Sequence, residues 1–109
     1  MELADNLEKN VRFLAQLEHA IRLTNNEIIH KRVPPINSER MISFAQLVAR
    51  LRAQYIEAAF KFSDVKQIDG VADAAEIDEL NLYRSQFETA REAFIALQRA
   101  IELGYMAVE

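Results

Sequence analysis

The stretch "RMISFAQLVARLRAQYIEAAFKF", residues 40–62, places Met41, Phe44, Val48, Leu51, Tyr55, Ala58 and Phe62 at alternating steps of three and four. At about 100° per residue these positions fall on one face, and neither Gly nor Pro interrupts them, so the stretch reads as an amphipathic helix. A second apolar row, Ile42, Ala49, Ala53, Ile56 and Phe60, gathers around a line about 150° from the first. In a three-helix bundle a helix meets its two neighbours about 60° apart and buries little more than about 100° of face. The second row therefore calls for cover from outside the chain. Ala49 and Ala53 would admit a close-packed helix, with Ile42, Ile56 and Phe60 supplying bulk at either end. Ser43, Gln46, Arg50, Gln54, Glu57 and Lys61 fill the remaining arc as a solvent edge.

Outward from this helix the same spacing recurs. Upstream, Leu7, Leu14, Ile21 and Ile28 stand seven apart, with Leu3, Val11 and Leu17 on the same side, predicting a helix over about 3–31. Asn10 interrupts that stripe, and Thr24 and Asn25 lie near its far end; a polar residue on a seam costs stability but can fix register. His30, Lys31 and Arg32 suit the negative end of this helix's macrodipole. Pro34 and Pro35 stop it, because proline lacks the N–H and pushes Val33 toward an extended conformation. Asn37 or Ser38 then offers an N-cap for the second helix, predicted over about 38–62. "SDVKQIDGVADAA", residues 63–75, reads as a connection with an Asp69-Gly70 turn, and Asp73 as the next N-cap. The third helix, about 74–103, carries Leu80, Phe87, Phe94 and Ile101 seven apart, with Tyr83, Ala90 and Leu97 between. Glu76, Asp78 and Glu79 suit its positive end, Gly104 its C-terminal cap, and "YMAVE" forms a short tail.

Composition agrees. With 109 residues the chain fits one domain, and two Gly with two adjacent Pro are too few for the turns of an all-β protein. The expected fold is all-α: one domain over residues 1–109, an antiparallel up-down-up three-helix bundle whose core is the three stripes, dimerising into a larger helical bundle. Spectrin-like repeats are similar in length and helix count, although this chain has no Trp and shows none of their motifs.

Several function classes lose ground on the residues alone. There is no Cys, hence no disulfide, thiolate nucleophile or Cys-held metal. Positive and negative side chains interleave at a net charge of −4, which speaks against nucleic-acid binding. No long apolar run or basic leader appears, so neither membrane span nor signal peptide is expected, and a cytoplasmic setting fits. No phosphate-binding glycine loop or nucleophile–base grouping is legible, so no catalytic residue and no cofactor is assigned.

Three local patterns remain. Glu27 and His30 have the Glu-x-x-His spacing of carboxylate-bridged metal bundles, where a symmetric dimer would have to supply the second copy; Ile28 between them is expected to face inward. "EHAIRLTN", residues 18–25, resembles histidine phosphotransfer and histidine-kinase dimerisation helices in one spacing, an outward His19 with Arg22 three positions on. Leu23 stands where phosphotransfer domains carry glycine, and Ala20 with Leu23 and Thr24 replaces the acidic neighbour and proline of the kinase pattern. That resemblance would make His19 a phosphoacceptor. A calcium-loop alignment around Gly70 would use Asp69, Asp73 and Glu76 but puts Val65 and Gln67 at the first ligand positions. The expected function is a non-enzymatic interaction or regulatory module working as a homodimer with an unidentified protein partner. A His19 phosphotransfer domain is the alternative, and a dimeric Glu27/His30 metal site the second.

Overall fold

The computed structural model describes residues 2–109, save the side chains of residues 67–69. The chain is an all-α three-helix bundle: α1 spans Glu2–Arg32, α2 Ser38–Asp69 and α3 Ala74–Glu102, with no strand among the described residues. By backbone proximity it divides into two compact units, Met1–Ile36 with Arg99–Glu109, and Asn37–Gln98.

Helix ends follow local chemistry. Asn37 is extended, and its side-chain oxygen accepts from the Arg40 N–H at 2.9 Å, satisfying one of the donors a helix start leaves orphaned. Asp73 does the same for α3, accepting from the Glu76 N–H at 2.8 Å. α2 runs on to Asp69, seven residues past the expected end at Phe62. Nothing in residues 63–69 breaks a helix, and termination waits for Gly70, whose φ of 71° only glycine adopts without strain. Its N–H donates to the Lys66 carbonyl at 2.7 Å. At the end of α3, Gly104 (φ 75°) donates to the Ile101 carbonyl and Tyr105 to that of Ala100, the paired bonds of a Schellman ending.

The unit Asn37–Gln98 is an antiparallel pair of helices. Phe44 meets Phe94 with ring centroids 5.5 Å apart, and Tyr55 stacks on Phe87 at 6.1 Å. Lys66 reaches Glu76 at 2.8 Å, so contacts advance along α2 as they retreat along α3. Met41, Phe44, Val48, Leu51, Tyr55, Ala58 and Phe62 are all half-buried or buried, as are Leu80, Tyr83, Phe87, Ala90, Phe94 and Leu97 opposite. Heptad spacing thus locates this interface residue by residue. Val48 and Phe87 form its centre. The guanidinium carbons of Arg52 and Arg91 lie 5.2 and 5.4 Å from the Phe87 ring centroid, covering it with cations whose stems also shield the ring.

In the other unit the tail comes back to the α1–α2 linker. The Ile36 N–H donates to the Ala107 carbonyl and the Glu109 N–H to that of Ile36, both at 2.8 Å, an isolated parallel bridge that buries Ile36. The Asn26 amide donates to the Gly104 carbonyl at 3.0 Å. On this side of α1, Asn25, Ile29 and Val33 are half-buried.

Two expectations are corrected here. The α1 stripe is not buried as expected: α1 contains no buried residue, and Leu3, Leu7, Val11, Leu14, Leu17, Ile21 and Ile28 are all exposed. Ile28 does not face inward either; Ile29 takes that role. Both errors have one cause. Periodicity defines which residues share a face, whereas the partner that covers a face is a long-range matter, and at this end the tail returns to α1 through the Asn26–Gly104 hydrogen bond.

Candidate interaction surface

The second row on α2 is open along its length. Ile42 is 56% exposed and Phe60 68%, and Ala49, Ala53 and Ile56 are exposed between them. They stand on the opposite side of α2 from Val48 and Tyr55, so the α3 contact that buries the first stripe leaves the second untouched. A row of large side chains around two alanines is more than the scattered surface apolar residues of ordinary proteins. Chemically it can exclude water against another apolar helix and do little else.

The α2–α3 unit also carries two grooves that sequence reasoning missed. One, of about 480 Å³, is lined by Phe44, Leu47 and Leu51 of α2 and by Ala90 and Ala93 of α3. Small alanines opposite leucines leave this trough, and Leu47, at the edge of the α2 stripe, was its one legible sign. The other, of about 430 Å³, lies toward the connected ends, with Ala58, Phe62, Leu80 and Tyr83 below and Glu57 and Lys61 at its edge. Lys66 closes that end. Its Nζ is held by both Glu76 oxygens, at 2.8 and 2.9 Å, and donates to the Val71 carbonyl. The Glu76 N–H beside Asp73 holds the Asp73 carboxyl below the usual carboxylate range, with the Lys66 cation adding to the effect.

The residues considered for chemistry are occupied or dispersed. His19 is exposed on α1, while Arg22, its basic neighbour in the phosphotransfer pattern, pairs with Glu18 at 2.9 Å. Glu27 pairs with Lys31 at 3.2 Å, and the His30 ring hydrogen-bonds through Nδ1 to the Asn26 carbonyl at 2.7 Å. No cluster of three or more His, Asp or Glu able to hold a metal occurs among the described residues. The calcium-loop alignment fails because residues 65–69, its first five positions, are helical, though the Asp69 side chain lies outside the described residues. No helix of the described residues is long and apolar enough to cross a membrane.

Comparison of the chain with protein-family models, with curated proteins and with solved structures finds no match.

Proposed function

We propose that this chain is a non-enzymatic helical interaction module, working in a cytoplasmic setting as a homo-oligomer that presents helical surface to a protein partner. The observation that carries the reading is the exposed row Ile42, Ala49, Ala53, Ile56 and Phe60 on a helix whose other apolar stripe is already spent on α3. A twofold axis lets one such patch satisfy itself, so a second copy is the simplest cover. The phosphotransfer and metal-site readings remain the alternatives, each carried by a single spacing on exposed α1 residues.

Sedimentation equilibrium over a concentration series tests this. Wild type should sediment as a dimer or a larger assembly at micromolar concentration. Ala53→Arg, which puts a guanidinium where α2 would meet its twin, should raise the dissociation constant at least tenfold, about 1.4 kcal/mol, with helicity retained. An unchanged constant would remove the α2 row as the contact.

A further inference from the structure

The second unsatisfied surface is on α1. Its exposed apolar residues follow a heptad: Leu7, Leu14, Ile21 and Ile28 at one position, and Leu3 and Leu17 at the other, where Asn10 and Thr24 also fall. Val11 and Phe13 flank the seam and are exposed too. From Leu3 to Ile28 the seam is about 38 Å long, the three to four heptads that mark a coiled coil. The helices α2 and α3 spend their matching stripes on each other. The apolar groove between them, bounded on α2 by Phe44 and Leu51, is only about 11 Å long. The exposed row on α2 also repeats in sevens but spans only about 27 Å from Ile42 to Phe60, so the surface that matches the seam along its whole length is the same seam on a second copy.

The geometry points to a parallel, in-register pairing of α1 with α1 of another copy, an inference that rests on the homo-oligomeric reading above. The polar seam residues decide the direction. Antiparallel packing sets Asn10 against Ile21 and Thr24 against Leu7, burying an amide and a hydroxyl without partners. Parallel packing sets each against itself, where both can hydrogen-bond, and a buried polar pair of this kind is the attested device for holding register. Glu2, Asp5 and Glu8 sit on the outer side of the heptad, where like charges on the two copies do not meet. Counting the flanking positions, about sixteen residues a side take part, approaching the roughly 20–30 of a stable interface.

The chain contains no cysteine, so a single introduced thiol reports on its own twin. Leu7→Cys, oxidised at micromolar concentration, should give a reducible covalent dimer, because the pairing brings the two positions within disulfide range. Lys9→Cys, on the outer side, should not. An antiparallel pair would hold the two copies of position 7 about 25 Å apart. Cross-linking only when Thr24→Cys is combined with Leu7→Cys would therefore overturn the parallel register. A wild-type dimer with no cross-link through position 7 or 24 would overturn the α1 seam and leave self-association standing. A wild-type monomer would overturn both.

Discussion

Truncating Phe87 to alanine tests what holds the α2–α3 pair together. The residue is 9% exposed, its ring stacks on Tyr55 at 6.1 Å, and Arg52 and Arg91 lie over it. Phenylalanine-to-alanine changes in cores cost about 3–5 kcal/mol, the spread reflecting how far the site collapses. Two helices can close on a gap more readily than a deep core, so the lower half, about 3–4 kcal/mol, is expected. At roughly 2.1 cal/mol/K per residue of unfolding entropy, each kcal/mol lowers Tm by about 4 °C, and Phe87→Ala should melt roughly 12–16 °C below wild type. Phe87→Leu separates apolar volume from the ring. It keeps most of the buried carbon but loses the aromatic pair, about 0.5–1.5 kcal/mol, and two guanidinium contacts of about 0.5–1 kcal/mol each. Its expected cost is about 1.5–3.5 kcal/mol. Urea unfolding followed by helical circular dichroism, with all proteins at one concentration because association shifts apparent stability, measures both. A Phe87→Ala cost under about 1 kcal/mol would refute this core as the unit's main support. A near-neutral Phe87→Leu would refute the contribution assigned to ring stacking and the two arginines.

Lys66→Met should destabilise the α2–α3 unit by about 1–2 kcal/mol in the same urea assay, between exposed and fully buried ion pairs, because Lys66 is 14% exposed and Glu76 32%; cleavage by a protease between residues 70 and 73 should quicken in parallel. Asp73 has its carboxyl pKa depressed on folding, so the stability it contributes is present above its unfolded value of about 3.9 and lost as pH falls through the lower folded value. The stability difference between wild type and Asp73→Asn should therefore shift in favour of the variant between pH 6 and pH 2; a difference constant across that range would refute the capping account.

The ends of the helices were legible because the causes are local. Asn37 and Asp73 stand where caps are needed, Pro34 and Pro35 cannot continue a helix, and Gly104 supplies the left-handed turn. The missed end of α2 is instructive in the same terms: residues 63–69 are mostly polar but contain no breaker, and polarity alone does not end a helix. The burial of Ile36 was not legible, since a lone isoleucine after two prolines acquires its importance only from a tail some seventy residues later. The Asn25, Ile29 and Val33 side of α1 was hidden for the same reason.

By itself the amino-acid sequence determined three helices, their caps, and which residues share each apolar face, because these depend on spacing and on backbone chemistry within a few residues. Only the tertiary structure decided which faces meet. The α1 and α2 stripes have the same repeat and similar composition, yet the α2 stripe is covered by α3 while the α1 stripe stays exposed. The hydrophobic effect is non-directional; it demands that such a face be covered without naming the cover. The choice among equivalent stripes rests on chain connectivity and long-range packing, which periodicity does not encode.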